Sequence, residues 1–142
     1  MSMQNLKQHG VFSWNELMTT NVDAAKRFYR EALGWELHDM GIPEMPYTIA
    51  KQNGLDVAGI MAIPTDAKGM PPAWGSYVTV DNVEARVEKV KSLGGKLCHG
   101  PMDIPNIGRI AVITDPQGAM LTMISYFNPN YSQECVYDEP PL

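Results

Sequence analysis

Apolar and polar side chains alternate from residue 11 to residue 19, and this period of two predicts a β-strand. One side of that strand carries Phe12, Trp14, Glu16 and Met18. A segment with helical spacing follows, beginning at the capping residue Asn21 and ending at Gly34. We expect its apolar residues to form one buried stripe: Val22, Ala25, Phe28, Tyr29 and Leu33.

Three shorter segments with strand patterns follow, at residues 35–40, 47–53 and 55–63. A stretch rich in Pro and Gly, residues 64–73, then separates two halves of the chain. The second half predicts a strand at 74–80, a helix from Asn82 to Gly94, and strands at 96–100, 107–114 and 119–127. The apolar positions that we expect this second helix to bury are Val83, Val87, Val90 and Leu93.

The two halves share a sequence motif, Asn-Val-Asp/Glu-Ala, at residues 21–24 and 82–85, and in each half the helix that follows ends at Leu-Gly. The order strand, helix and three strands therefore occurs twice, which predicts an α+β fold built from two βαβββ modules. Because a module this small cannot bury its own sheet, we expect the two halves to pack together and enclose a space. We predict a lead-in at 1–10, one domain at 11–127 with modules at 11–63 and 74–127, and a tail at 128–142 that is loose or lies across a partner subunit.

Length and charge exclude several classes of function. With 142 residues, 44% of them hydrophobic, the chain can form one domain with a sizeable core. A net charge of −5 and eleven scattered Lys and Arg residues argue against nucleic-acid binding. Apolar stretches fall well short of the roughly twenty residues that span a bilayer. The polar start and the two cysteines, Cys98 and Cys135, which we expect to be reduced, favour the cytoplasm.

Several blocks, taken in order, resemble the glyoxalase and bleomycin-resistance group of the vicinal oxygen chelate superfamily. The chain is most similar to the glyoxylase-like branch of that group, over roughly residues 11–127. The resemblance implies a half-open, eight-stranded barrel around a cleft, a small-molecule ligand and a homodimer. The blocks that carry it are Trp14-Asn15-Glu16-Leu17, Phe28-Tyr29 with Leu33-Gly34-Trp35, Ala58-Gly59-Ile60-Met61, Trp74 with Tyr77, and Asp115-Pro116-Gln117-Gly118-Ala119.

The resemblance also implies four strand positions at which enzymes of the superfamily place metal ligands, usually His or Glu. In this sequence those positions fall on Trp14, Ala58 or Gly59, Gly75, and Thr122. None is a normal ligand of a divalent metal, so we predict that the chain has no metal site and no cofactor. The three histidines, His9, His38 and His99, lie away from these positions and are expected at the surface or in hydrogen bonds.

Glu16 is the candidate catalytic residue. It lies two residues beyond Trp14 on the same side of the first strand, so we expect it to face the cleft. A carboxylate in an apolar cleft is costly unless it is paired, and it can serve there as a general base or as an anchor for a ligand. The alternative is a structural buried acid that Arg109 or backbone N–H groups satisfy.

Aromatic and sulfur-containing side chains suit a flat or hydrophobic ligand. Trp14 and Trp74 should approach each other, Tyr47 follows Pro46 and can gate the entrance, and residues 100–108 form either a lid or a plain surface loop. Ordinary core packing is the alternative for the methionines. The predicted ligand-binding residues are Trp14, Glu16, Met18, Tyr47, Met61, Trp74, Tyr77, Thr122 and Tyr126.

Two functions follow from these residues and the resemblance. The first is a binding protein that holds a small hydrophobic or aromatic molecule without a metal. The second is an enzyme, a lyase or isomerase of glyoxalase type or one related to the dioxygenases, that uses a displaced metal or Glu16 as general base. We favour the first.

Overall fold

The computed structural model describes residues 6–41, 46–65 and 69–127. Their elements confirm the α+β class and the repeated order of strand, helix and three strands. The elements are β1 Phe12–Thr19, α1 Val22–Leu33, β2 Glu36–Asp39, β3 Thr48–Gln52, β4 Leu55–Ala62, β5 Ala73–Thr79, α2 Val83–Ser92, β6 Lys96–Ile104, β7 Gly108–Thr114 and β8 Met120–Tyr126.

The chain divides into two compact units whose borders lie inside β1 and β5. Of the described residues, those between 14 and 75 make up the first unit, and 6–13 with 76–127 make up the second. Our module boundaries follow the sequence repeat, whereas these borders follow the packing. The predicted tail at 128–142, with Cys135, lies outside the described residues, and so do residues 1–5 of the lead-in.

The sheet of the first unit has the strand order β2-β3-β4-β1 and is open. Strands β2, β3 and β4 are antiparallel neighbours, while β1 runs parallel to β4 with Glu16 opposite Gly59 and Met18 opposite Met61. The buried apolar side chains of this unit are small or few: Leu17, Ala50, Ala58 and Ile60.

Helix α1 forms as predicted but buries no residue. The Asn21 side chain accepts a hydrogen bond from the Ala24 N–H at 2.9 Å, and Gly34 ends the helix in the left-handed region at φ 77°. The predicted buried stripe is nevertheless wrong, because Phe28 is 61% and Leu33 53% exposed. The main contacts of α1 are with β4 and the four-residue strand β2, which offer too little apolar surface to cover the helix.

The second unit holds the larger apolar core. Its sheet has the order β5-β8-β7-β6, with β5 parallel to β8 and the other pairs antiparallel. Helix α2 packs on this sheet through Val83 and Val87, but the predicted burial of Leu93 is wrong, since that side chain is 66% exposed. The core cluster consists of Val80, Val83, Val87, Ala111, Ile113 and Met123, with Val90 against it.

Strand β6 is longer than predicted. It continues through Gly100 and Pro101 to Ile104 and pairs with β7, with Met102 opposite Ile110. Register shifts in this pairing accommodate the Gly-Pro step that we interpreted as the end of the strand. The predicted long loop at 100–108 is therefore wrong, because only residues 105–107 join the two strands. No lid exists in this segment.

Each unit alone is an open four-stranded sheet, so the predicted cleft stays a prediction. Among the described residues, no helix is both long enough and apolar enough to cross a membrane. Of the two cysteines, Cys98 is described, and it is a free, exposed thiol.

Candidate functional site

Three of the predicted site residues form one hydrogen-bonded chain in the first unit. The Trp14 indole Nε1–H donates to the Tyr47 hydroxyl at 2.8 Å, and that hydroxyl donates to Glu16 Oε2 at 2.8 Å. Glu16 is buried, with 6% of its surface exposed, while Trp14 and Tyr47 are half-buried. The carboxylate is therefore held as a hydrogen-bond acceptor inside the protein.

Backbone geometry brings these side chains together. Trp14 and Glu16 are two residues apart in β1 and share a face. Tyr47 immediately precedes β3, and its carbonyl accepts a hydrogen bond of 2.9 Å from the Met40 N–H. Because β4 lies between β3 and β1, the Tyr47 ring must cross β4 to reach Glu16. It crosses at Gly59, the residue opposite Glu16 in the parallel ladder.

Thr48, the first residue of β3, helps to fix the position of the neighbouring Tyr47. The Thr48 hydroxyl donates to Asp39 Oδ1 at 2.9 Å, and the Lys26 ammonium donates to the same oxygen at 3.0 Å. The hydrogen bond from Lys26, helped by that from Thr48, holds the pKa of Asp39 below its ordinary value. Helix α1 and strand β2 are thereby tied to the start of β3.

Met18 and Met61 extend the same face. They are direct neighbours in the parallel ladder, two residues beyond Glu16 and Gly59 respectively, and both are half-buried. Five predicted ligand-binding residues thus lie on one surface of the first unit. We call this surface the Glu16 face; its residues are Trp14, Glu16, Met18, Tyr47, Gly59 and Met61.

Trp74, predicted to meet Trp14, belongs to a different cluster. Its indole Nε1–H donates to the Tyr29 hydroxyl at 3.1 Å, and its ring packs edge-on against Tyr29 and Trp35 at centroid distances of 5.5 and 5.9 Å. Tyr29 in turn stacks on Trp35 at 5.6 Å and meets Phe28 edge-on at 4.9 Å. The prediction followed the repeat and overlooked that Tyr29 offers an acceptor for the indole. Trp74 itself is 41% exposed.

The remaining predicted residues, Tyr77, Thr122 and Tyr126, lie in the second unit. Tyr77 is buried and stands opposite Thr122 in the parallel pairing of β5 and β8. The Tyr126 hydroxyl donates to Ser13 Oγ at 2.8 Å, and the Lys7 ammonium lies 4.7 Å from the centre of its ring. Burial raises the pKa of Tyr126 above its ordinary value, and hydrogen bonds with Ser13 and Thr79 partly offset that rise.

The two modules place different groups at equivalent positions. Glu16 lies opposite Gly59 in the first unit, and Tyr77 lies opposite Thr122 in the second. Counted from the capping residues Asn21 and Asn82, Glu16 and Tyr77 occupy the same place in the repeat. The pairing thus assigns the uncertain metal position of the first module to Gly59 rather than to Ala58.

Arg109 does not satisfy Glu16, so that half of the structural alternative is wrong. Its guanidinium pairs with Glu84 through Nε and with Asp103 through Nη1, the latter at 2.7 Å. The hydrogen bond from Arg109 lowers the pKa of Glu84, and the bonds to Asp103 and Glu84 raise the pKa of Arg109. The hydrogen bond that Glu16 Oε2 accepts comes instead from the neutral phenol of Tyr47.

The side chains at the superfamily's metal positions do not fit a divalent cation. Trp14, Gly59, Gly75 and Thr122 supply no carboxylate, imidazole or thiolate. In the described ranges, no three His, Cys, Asp or Glu residues lie close enough to hold a metal. The histidines have other neighbours, since His9 accepts from the Asp81 N–H at 3.0 Å, His38 lies 3.4 Å from Glu36, and His99 lies 3.0 Å from the Met102 sulfur.

A surface depression that the sequence did not indicate lies at the carboxyl ends of β1 and β4 in the first unit. Its volume is about 390 Å³. Among the described residues that line it, none has an ionisable side chain; they are Thr19, Thr20, Ala62, Ile63, Pro64, Thr65, Gly69 and Met70. It begins one residue beyond Met18 and Met61 in the same two strands.

Comparisons with known proteins agree with the resemblance. The model of the Glyoxalase/Bleomycin resistance protein/Dioxygenase superfamily matches residues 9–123. A Mycobacterium tuberculosis protein named "Putative glyoxylase CFP32" is 42% identical over 115 residues, which is 79% of this chain and 44% of that protein. The "Anthracycline biosynthesis protein DnrV" of Streptomyces peucetius is 32% identical over 123 residues, or 78% of this chain and 45% of that protein.

The chain spans less than half the length of these curated relatives. Among solved structures, a methylmalonyl-CoA epimerase from Mycobacterium tuberculosis matches with a TM-score of 0.61 and 17% identity, over 93% of this chain and 97% of that one. A methylmalonyl-CoA epimerase in complex with methylmalonyl-CoA matches with a TM-score of 0.59 and 16% identity, over 84% and 96% of the two chains. At this identity, the likeness shows the fold.

Proposed function

Because this chain belongs to the Glyoxalase/Bleomycin resistance protein/Dioxygenase superfamily, we propose that it binds a small hydrophobic or aromatic molecule on the Glu16 face without a metal. The observation that carries the proposal is the hydrogen-bonded chain from Trp14 through Tyr47 to the buried Glu16. A buried carboxylate lowers stability, so its retention beside an indole and two thioethers is typical of a site.

The composition of the face supports an aromatic ligand. The Trp14 ring offers a flat apolar surface, and Met18 and Met61 offer thioethers that adapt to the edge of a ring. The name of the relative DnrV refers to the biosynthesis of anthracyclines, whose fused rings have this shape. Glu16 would then accept a hydrogen bond from a hydroxyl or ammonium group of the ligand.

The absence of a metal is part of the proposal. It is supported by the side chains at the superfamily's positions, where Gly59 and Thr122 supply no charged donor. Dialysis against Ni²⁺, Zn²⁺, Mn²⁺ or Fe²⁺ followed by metal analysis is expected to leave well under one ion per chain. One bound ion per chain that a chelator removes together with ligand binding would contradict this proposal.

Titration with daunorubicin, a fluorescent anthracycline, tests the binding proposal. We expect saturable quenching by the wild-type chain and roughly tenfold weaker binding by Glu16→Gln, since a charged hydrogen bond is lost. The matched control is Glu31→Gln, which makes the same change at an exposed position of α1. Equal affinity in all three proteins, or a large loss of thermal stability in Glu16→Gln alone, would make Glu16 a structural acid instead.

The second candidate function is a lyase or isomerase of glyoxalase type. The burial of Glu16 favours it, because a desolvated carboxylate can remove a proton from carbon next to a carbonyl group. Turnover of the hemithioacetal of methylglyoxal and glutathione is the measurement. Turnover that survives a chelator and is lost in Glu16→Gln would favour this enzyme over the binding protein.

We further propose that two copies of the chain associate through α1 and that the protein acts in the cytoplasm. The exposed Phe28 and Leu33 side chains on α1 support the first point. The curated relatives are more than twice as long as the part they share with this chain, so they have room for a second domain of this size. A second copy of the chain would supply the equivalent surface. The free thiol of Cys98 supports the second point, because the cytoplasm keeps thiols reduced.

A further inference from the structure

We infer that the missing side chain at Gly59 leaves the space that the Tyr47 ring occupies, which we call the seat. Tyr47, held in this space, is the positioning residue for Glu16. The inference rests on the proposed function of the Glu16 face and assigns roles to two of its residues. Gly59 supplies space, and the Tyr47 hydroxyl supplies the hydrogen bond that orients the carboxylate.

The space at Gly59 is filled by the Tyr47 ring. A Cβ atom added at Gly59 would lie 1.7 Å from the Tyr47 hydroxyl oxygen, 2.2 Å from Cζ and 2.6 Å from Cε2. Real Cβ atoms essentially never lie under 3.0 Å from such neighbours, so any other residue would expel the ring from this place. The phenol therefore rests directly on the backbone of β4.

The backbone conformation does not explain this glycine. Gly59 is not among the glycines with positive φ, so an L-residue could adopt its backbone angles without strain. Gly75 is equally free of positive φ, but a Cβ atom there would meet nothing within 4 Å. The requirement for glycine at position 59 is thus the close approach of one side chain.

The hydrogen bonds fix the direction of the phenol. Tyr47 has one hydroxyl proton, which it donates to Glu16 Oε2, and its oxygen accepts the indole N–H of Trp14. Both bonds measure 2.8 Å, so the oxygen is held from two sides. Loss of the hydroxyl would take one donor from Glu16 and an acceptor from Trp14.

The seat also accounts for the residue at the superfamily's metal position. Gly59 lies opposite Glu16, and the resemblance to the superfamily implies a metal-ligand position at Ala58 or Gly59. The phenol of Tyr47 occupies the space into which a longer side chain at residue 59 would extend. In this chain, the position that could carry a metal ligand has become the support for a neutral hydrogen-bond donor.

A mutational cycle tests the seat through stability. Gly59→Ala is expected to lower Tm by several degrees, whereas Gly75→Ala, the control in the same unit, should change it by about one degree or less. In a Tyr47→Ala background, the methyl group at residue 59 meets no ring, and the Tm loss should disappear. An equal loss with and without the Tyr47 ring would overturn the seat.

The positioning role is tested with Tyr47→Phe, which keeps the ring and removes the hydroxyl. Daunorubicin affinity is expected to fall roughly tenfold, because Glu16 loses a hydrogen bond to its charged form. Unchanged affinity would overturn the role.

The indole N–H resonance of Trp14 separates the inference from the proposed function. It is assigned with Trp14→Phe, and it should shift in Tyr47→Phe and in Gly59→Ala but not in Gly75→Ala. A wild-type chain that binds no daunorubicin would contradict the proposed function alone. The stability cycle and this resonance would then still decide whether Tyr47 rests on Gly59 and bonds Trp14, and a resonance that does not move would overturn the inference.

Discussion

The two units of this chain share one order of secondary-structure elements, but they bury different kinds of side chain. At equivalent positions of the repeat, the first unit buries the carboxyl group of Glu16 and the second buries the phenol of Tyr77. Helix α1 of the first unit buries no residue, while helix α2 of the second unit packs Val83 and Val87 into an apolar cluster. The apolar core and the candidate chemistry are therefore separated between the two modules.

The helices of the two units begin in the same way, so the difference between the units originates in the strands. Asn21 and Asn82 each accept a hydrogen bond from the N–H three residues ahead, at 2.9 and 2.8 Å. In β4 the residue opposite the buried acid is Gly59, whereas β8 has Thr122 at that place and Met123 and Ile124 buried beside it. Small residues in β4 make room for Tyr47, and larger ones in β8 fill a core.

Substitution of the two valines that follow the caps should give the largest difference between the units. Val83 is 1% exposed, and its replacement by Ala should lower the free energy of unfolding by about 2 kcal/mol. Val22, at the same place in α1, is only half-buried, so Val22→Ala should cost about 0.5 kcal/mol or less. Urea unfolding of both variants measures this. Equal costs would mean that the two helices contribute equally to the apolar cores of their units.

The exposed face of α1 gives the next test, through the proposed association of two copies. The wild-type chain should have a mass near twice 15.7 kDa in light scattering, and Phe28→Glu should reduce it to one chain. A charge at residue 28 would have to be buried in such an interface, which is costly. Arg30→Gln is the control, because it changes the net charge by the same unit about 200° around the helix. A wild-type mass of one chain would remove the proposed role of this face.

Much of the fold was predictable because its signals are local. The Asn caps, the alternation in β1 and the helical spacing all depend on neighbours within one turn or one strand. Burial of Phe28 and Leu33 was mispredicted because spacing shows which side of a helix is apolar but not whether a surface exists to cover it. Pro101 was misread as a strand end because bulges that absorb a proline depend on the partner strand.

The candidate site was predictable in part. Trp14, Glu16 and Met18 followed from strand alternation, and Met61 was predicted as a thioether of the site, but the ladder that places it beside Met18 is known only from the structure. The role of Gly59 was not predictable, because a glycine without positive φ has no local signal and its reason is the ring of a residue twelve positions earlier. Trp74 was misplaced because its partner Tyr29 lies on the helix, and an internal repeat carries no information about such contacts.

Alkaline pH should act on the second unit through Tyr126. Its pKa is raised in the folded protein above the ordinary value of 10.0, so the folded state holds the hydroxyl proton more tightly than the unfolded state. This contribution is complete below pH 10 and is lost as the pH rises toward the folded pKa. Tyr126→Phe should flatten the decline of unfolding free energy above pH 10. The control Tyr29→Phe, a phenol of the first unit, should keep the decline.

The smallest effect is expected from the exposed carboxylate Glu84, which pairs with Arg109 at the surface of the second unit. Because the folded pKa of Glu84 lies below the ordinary value of 4.5, its stabilising contribution is present above that pH and is lost as the pH falls through the folded value. Arg109→Gln should lower Tm slightly at pH 7 and by less as the pH falls below 4.5, and salt should reduce the difference. Glu16 has a different partner, the neutral phenol of Tyr47, so salt should leave the effect of Tyr47→Phe on ligand binding unchanged. If salt removed the effect of Tyr47→Phe as readily as that of Arg109→Gln, the Glu16 face would be open to water. The contrast between a buried polar site in one unit and surface charges in the other would then no longer hold.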